Sequence, residues 1–306
     1  MSNIYDLIII GGGPAGYTAA LYGARAGLDV LVLERLSVGG QMASTGEIEN
    51  YPGFDEGIDG YTLGEKMKSG AERFGAESEY GNVISVELNG RIKKVLTDSG
   101  EYLARAVILA NGAEPRRLGA EGEEALIGQG VHYCAHCDGR FYKDSVVAVV
   151  GGGNSALEDA IYLSRLAKKV YLINRRRELR ADRIYRERLA ELSNVEFIPD
   201  AVVGSLREGD GGITAELSVN GAPRELFVNG IFVSIGRVPT TDIYRGSLQL
   251  DNDGYIIAEE DTKTGIPGVF AAGDIRSKPL RQIVTAASDG AVAAHFAEKY
   301  ISEAEI

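Results

Sequence analysis

The chain is short of cysteine, of basic charge and of long apolar runs, and each shortage excludes a class of protein. Only two cysteines occur in 306 residues, too few for a disulfide framework or a four-thiolate zinc site. Thirty-two basic residues stand against 44 acidic ones, a net charge of −12. The basic footprint of a nucleic-acid or anionic-membrane binder is therefore missing. No apolar run approaches the ~18 residues that would cross a bilayer. The N-terminal stretch, Asp6 followed by a short apolar run and three glycines, lacks the layout of a signal peptide. No low-complexity tract interrupts the sequence. The expectation is a soluble, cytoplasmic chain that binds neither nucleic acid nor membrane.

Glycine, by contrast, is abundant: 40 residues, nearly double the usual share of about 7%. A length of 306 residues exceeds one minimal domain and suits two. Residues 5–10 form an apolar, β-prone run that ends at Gly11-Gly12-Gly13. Residues 15–26 read as a helix stopped at Gly27, and residues 30–33 as a second buried strand. Together they make one βαβ unit. The pattern recurs at residues 146–150, followed by Gly151-Gly152-Gly153, a helix through Ala167 and a strand over 170–173. Residues 11–35 laid on 151–175 need no gap, and eight positions coincide: the three glycines, Ala20/Ala160, Tyr22/Tyr162, Arg25/Arg165, Val30/Val170 and Arg35/Arg175. Chance helical composition does not supply that register. The fold class expected is α/β, with two tandem Rossmann-like dinucleotide-binding domains, the second inserted into the first. Linkers are expected near Asn111-Gly112 and Gly236-Arg237. The tail beyond the second is too short for a core of its own, so it returns to the first domain. The boundaries are then 1–115 with 245–306, and 116–244 for the insert.

The two glycine motifs carry different residues downstream. Gly11-x-Gly13-x-x-Gly16, with Pro14 and Ala15 inside it, comes after a strand and opens a helix, the context of a dinucleotide fingerprint. Glu34 ends the second strand, where a carboxylate accepts hydrogen bonds from ribose hydroxyls. In the second motif, Gly151-x-Gly153-x-x-Ala156, the helix opens with Asn154 and Ser155, and Asn174 takes the place of Glu34. Arg175-Arg176-Arg177 and Arg180 come next. An acid repels a 2′-phosphate, whereas clustered arginines pair with it. The first site therefore suits FAD or NAD and the second NADP(H). The bland alternative is that the arginines are a solvated surface cluster.

Cys134 and Cys137 are spaced C-x-x-C, with His132 and His136 beside them. A mixed Cys/His metal site would ask ligands adjacent on one short segment to reach a tetrahedron, so no metal is expected. A redox-active dithiol is the reading. Asp138 is the one carboxylate within five residues of the pair; it can protonate a leaving thiolate or reduced flavin, or simply serve the turn before Gly139. A dithiol beside two nucleotide motifs suggests electron flow from nicotinamide through flavin to a disulfide.

The motifs GGGPAG (11–16), GGQ (39–41), ENYPGF (49–54), YCAHCDG (133–139), GGGNSALEDA (151–160), NRRRELRA (174–181), FAAGD (270–274) and LRQ (280–282) together resemble those of the low-molecular-weight thioredoxin reductases, over essentially the whole chain. The resemblance implies a homodimeric FAD enzyme carrying electrons from NADPH to thioredoxin. It implies that Gly11, Gly13, Gly16, Glu34, Gly40, Gln41 and Asn50 hold FAD, with Asp274, Arg281 and Gln282 at its ribityl-phosphate and isoalloxazine region. Arg175, Arg176 and Arg180 would hold the 2′-phosphate. Cys137 would face the flavin, Asp138 would be the acid, and Cys134 would exchange with thioredoxin.

Three positions depart from that family's pattern: Asn174 where His is usual, Asn111 where Thr is usual, and His136 between the cysteines. A protonated imidazole at His136 would stabilise the thiolate and raise the disulfide's potential; a solvent-facing ring would do nothing. The same chemistry admits ferredoxin or NADH as donor, or a peroxide-reducing system as disulfide partner. A sensor binding FAD and NADP without turnover is a rival class, but binding alone needs no dithiol. If disulfide and nicotinamide reach one flavin in turn, the insert must swing about the two linkers.

Overall fold

Residues 7–10 are apolar without a break, and the strand they end, Ile4–Ile10, is covered on both faces. Leu7 and Ile9 enter one core cluster, Ile8 and Ile10 another. An unbroken apolar run is what a central parallel strand requires. The computed structural model describes residues 4–44 and 47–304. Residues 1–3, 45–46 and 305–306, inside the span expected for the first domain, lie outside the described residues. The chain divides into two units, Met1–Glu114 with Val238–Ile306, and Pro115–Arg237.

In the first unit, parallel strands run in the order Glu77–Tyr80, Val30–Glu34, Ile4–Ile10, Glu101–Leu109. The long strand Glu101–Leu109 forks. Its start pairs antiparallel with Lys93–Thr97, which pairs with Val83–Glu87; its end pairs parallel with Val269–Ala271. The helices Pro14–Arg25 and Ile283–Ala304 share one core through Ala15, Ala19, Ala286, Ala293, Ala294 and Ala297. A Cβ on Gly290 would stand 2.1 Å from the Ala15 carbonyl oxygen, so only glycine lets the helices meet this closely. That contact is how the C-terminal segment joins the first unit.

The second unit holds five parallel strands in the order Val131–His132, Gly230–Val233, Val146–Val150, Lys169–Ile173, Val195–Ile198. Side-chain alternation divides its core. Val147 and Val149 pack with Leu157, Ala160 and Phe232 on the helix side. Ala148 and Val150 pack with Val203, Leu217 and Leu226 of an antiparallel three-stranded meander, Ala201–Gly209, Gly212–Val219 and Ala222–Val228.

The helix expected to run through Ala167 is shorter, Asn154–Leu163. The Ser164 hydroxyl donates to the Ile161 carbonyl at 2.8 Å. The Asn194 amide donates to the carbonyls of Ser164 and Ala167 at 2.8 and 3.2 Å. The N–H groups of residues 164–167 take the helix's last carbonyls, partly in tighter turns, and a distant side chain satisfies two carbonyls of the turn segment that follows. Among the described residues no helix is long and apolar enough to cross a membrane.

Candidate functional site

Both glycine motifs fold the same way, for the same steric reason. Gly11 has φ +108° and a Cβ there would lie 2.4 Å from the Ala110 carbonyl oxygen; Gly151 has φ +149° and would meet the Ser234 carbonyl oxygen at 2.3 Å. Each turn presses against the end of the neighbouring parallel strand, where no L side chain fits. The helices after these turns begin at Gly13 and Gly153 with no side-chain cap. A Cβ on Gly13 would find its nearest neighbour at 3.9 Å, and one on Gly153 nothing within 4 Å. Pro14 opens the first helix, where its missing N–H is no loss. Asn154 and Ser155 are exposed in the first turn of the second. Uncapped N–H groups facing open space, at the positive end of a helix dipole, form an anion site.

The residues flanking each turn differ in polarity. In the first unit, Glu34 accepts from the Gly12 N–H at 2.6 Å and from the Leu36 N–H at 2.9 Å. These bonds fix the carboxylate and leave lone pairs for hydroxyl donors. In the second unit, Asn174 is buried and donates to the carbonyls of Arg176 and Glu178 at 2.8 and 3.3 Å. The Arg180 N–H donates to the Gly152 carbonyl at 2.8 Å. Asn174 therefore folds the arginine loop and docks it on the glycine turn. Arg177 is neutralised by Asp200 at 3.0 Å. Arg175, Arg176 and Arg180 are exposed and make no ion pair among the described residues.

The other residues expected around FAD gather in the first unit. Gly39 N–H donates to the Gly12 carbonyl at 2.8 Å, and a Cβ on Gly40 would lie 3.5 Å from Gly13 Cα, so the Gly39-Gly40 loop lies against the fingerprint. The Gln41 amide donates to the Ala113 carbonyl. Asn50 donates to Gln282 at 3.2 Å across a separation of 232 residues. Asn50 also lines an open cleft of about 520 Å³ walled by residues 49–55.

Asp274 sits in the short turn Gly273–Ile275. Arg281 lies over the Tyr255 ring, its guanidinium carbon 3.9 Å from the centroid. Arg276 and Lys278, which sequence reasoning passed over, share the single carboxylate of Asp289 at 3.3 and 2.7 Å. Arg276 and Arg281 each bury an Nε that lacks a hydrogen-bond partner among the described residues. Surplus buried cationic donors in the unit that carries the uncapped glycine turn fit an anionic cofactor, and so these residues fit FAD.

Asn111, a position with no role legible in the sequence, accepts a 2.6 Å hydrogen bond from the buried Tyr244 hydroxyl. Burial drives that phenol's pKa well above its ordinary value. Thr240 Oγ1 lies 3.1 and 3.0 Å from the carbonyls of Asn111 and Gly112, which ties down this stretch of the first unit.

In the second unit, Cys134 and Cys137 are joined as a disulfide with Cα atoms 5.3 Å apart. Cys134 precedes the one-turn helix Ala135–Asp138, and its carbonyl accepts from the N–H groups of Cys137 and Asp138 at 3.3 and 3.1 Å. His136 is exposed, with its ring 4.2 Å from that of Tyr162. Asp138 is held by His132, Nδ1 to Oδ2 3.2 Å. The other His132 nitrogen meets the Tyr142 hydroxyl at 2.7 Å. Burial and the charge of Asp138 push the Tyr142 phenol up to about 12. His132 entered the sequence reading only as a possible metal ligand; its spacing from Asp138 carried no signal of a pair.

Comparison with known proteins agrees with this chemistry. A family model described as pyridine nucleotide-disulphide oxidoreductase matches residues 5–290. A thioredoxin reductase of Listeria monocytogenes is 49% identical over 98% of this chain and 95% of its own length. One from Bacillus subtilis is 45% identical over 98% and 96%. A crystal structure of thioredoxin reductase from Streptococcus pyogenes superposes with a TM-score of 0.91 at 43% identity, covering 99% of this chain and all of the other.

Proposed function

The chain belongs to the pyridine nucleotide-disulphide oxidoreductases and among them to the thioredoxin reductases, with its redox disulfide at Cys134–Cys137, and on that premise we propose that it reduces thioredoxin with NADPH through bound FAD. FAD is assigned to Met1–Glu114 with Val238–Ile306, and NADPH to Pro115–Arg237. Bound FAD supplies the two-electron exchange between nicotinamide and disulfide. The uncapped helix start at Gly13, with Glu34 and the Arg276/Arg281 donors, holds the flavin nucleotide. The helix start at Gly153, with Arg175, Arg176 and Arg180, holds NADPH through its 2′-phosphate.

Asp138 gives a proton as the Cys134–Cys137 bond opens. The Cys134 thiolate then attacks a thioredoxin sulfur and displaces the other as thiolate. Cys137 attacks Cys134 in turn, which restores the disulfide and releases dithiol thioredoxin. Assembly as a homodimer belongs to the same reading and rests on the resemblance.

The observation that carries the NADPH assignment is the polarity reversal between repeats. A backbone-held carboxylate at Glu34 stands against three arginines after Asn174 that make no ion pair among the described residues. Anaerobic titration of the purified protein tests it. The protein should be yellow and should accept about two equivalents of NADPH per chain, one for flavin and one for disulfide, with NADH far slower. Uptake of a single equivalent, or equal rates with both nucleotides, contradicts the reading.

A further inference from the structure

Asp138 does not stand alone behind the disulfide. Its Oδ2 lies 3.2 Å from Nδ1 of His132, and Nε2 of His132 lies 2.7 Å from the Tyr142 hydroxyl. The three side chains come from three successive elements: the strand Val131–His132, the helix Ala135–Asp138 and the turn Gly139–Tyr142. The His132 side chain is 10% exposed and that of Asp138 17%. The imidazole stacks on Phe232 with centroids 5.3 Å apart and meets the Tyr142 ring edge-on at 5.3 Å.

An imidazole that only filled the core would be satisfied by any carbonyl and any donor. Here both ring nitrogens meet ionisable side chains, and one of these adjoins the redox cysteine. The groups facing His132 are Asp138 from the helix, Tyr142 from the turn and Phe232, which does not titrate, from the strand Gly230–Val233. Arg140 on the same turn is exposed, and His136 turns instead to Tyr162.

We propose that His132 is a positioning residue that orients Asp138 and reloads it with a proton, in a Tyr142–His132–Asp138 relay serving the opening of the Cys134–Cys137 disulfide. The proposal rests on the reading of Asp138 as proton donor in that step. Two electrons, delivered by the oxidoreductase reaction, and one proton convert the disulfide to one thiol and one thiolate. The His132–Asp138 pair holds that proton, resting on Nδ1 of the imidazolium. It passes to the Asp138 carboxyl and from there to sulfur. The imidazole is left neutral, with its Nε2–H donated to the Tyr142 oxygen, and one proton from solvent resets the relay.

The test uses full-length, FAD-loaded protein. His132→Phe keeps a ring against Phe232 and removes both nitrogens. His132→Asn restores a donor toward Asp138 without a group that can carry the proton, and it serves where the phenylalanine variant does not fold. Rapid mixing with NADPH separates flavin reduction from the later opening of the disulfide. His132→Phe should slow opening on the order of 10²-fold, and wild-type opening should carry a pH dependence that this variant lacks. His132→Asn should recover part of the rate and none of that dependence. The rate at which dithiothreitol opens the Cys134–Cys137 bond, a readout free of NADPH, should fall in the His132 variants as it does in Asp138→Asn. Asp138→Asn separates the two layers. Slow opening in Asp138→Asn with wild-type rate and pH profile in the His132 variants overturns the relay and leaves Asp138 as donor. Wild-type opening in Asp138→Asn overturns both. Slowing in the double variant well beyond that of Asp138→Asn alone also overturns the relay.

Discussion

Replacing either Cys134 or Cys137 by serine should end reduction of thioredoxin while flavin reduction by NADPH proceeds at its wild-type rate. In the proposed scheme hydride transfer from nicotinamide precedes the dithiol and does not draw on it. The variants should stay folded, because the bridge closes a loop of only a few residues. The chain-entropy estimate for such a loop is about 2 kcal/mol, and neither cysteine belongs to the core clusters of the second unit. The two variants should also differ from one another. Cys137→Ser keeps the thiol assigned to exchange, so it should accumulate a mixed disulfide between Cys134 and thioredoxin that nothing resolves. Cys134→Ser should trap none. Turnover retained in either variant, or trapping in the wrong one, contradicts the roles given to the pair. Stopped-flow spectra of the flavin and non-reducing gels of the trapped complex read both outcomes.

Neutralising Arg175 and Arg176 together should lower kcat/KM for NADPH on the order of 10²-fold and leave that for NADH nearly unchanged. Hydrogen bonds to charged groups are worth about 1.5–3 kcal/mol each. Both side chains are exposed, so solvent screening brings the pair to about 2–3 kcal/mol together. The loss should appear in KM, because the 2′-phosphate lies away from the reacting carbon and binds ground state and transition state alike. Asn174 sharpens the contrast. Substituting it would disturb the loop that carries the arginines, so Asn174→Ala should weaken both nucleotides if it also disorders the glycine turn through Arg180. Equal losses for NADPH and NADH in the arginine double variant would sink the assignment of those side chains to the 2′-phosphate.

Sequence and structure agree where the signal is local. Residues 7–10 and the strand Val146–Val150 announce themselves as unbroken apolar runs, and the glycines after them sit where a Cβ would strike backbone. The C-x-x-C pair and the arginines are legible because side-chain chemistry and spacing alone define them. Long-range partners are not legible. The helix after Gly153 gives way at Ser164 to turns whose carbonyls Asn194 satisfies, and no residue within the helix forecasts that partner. Asn111 acquires its role from Tyr244, 133 positions away. Arg276 and Lys278 matter through Asp289 on the last helix. His132 lies near Asp138 in sequence, yet the pair forms only because the one-turn helix Ala135–Asp138 brings the carboxylate back over the end of the strand Val131–His132. The meander strand Gly212–Val219 alternates buried and less buried residues, whereas Ala222–Val228 opens with four exposed ones, and none of the meander's strands is read from the sequence.

The most direct measurement is steady-state oxidation of NADPH by the purified, FAD-loaded protein with purified thioredoxin as the disulfide substrate, repeated with NADH and with reduced ferredoxin as donors. The account predicts catalytic turnover with NADPH, saturating in thioredoxin and absent in Cys134→Ser and Cys137→Ser, with NADH poor and ferredoxin inert. Thioredoxin reduction that runs on ferredoxin or NADH but not on NADPH would contradict it.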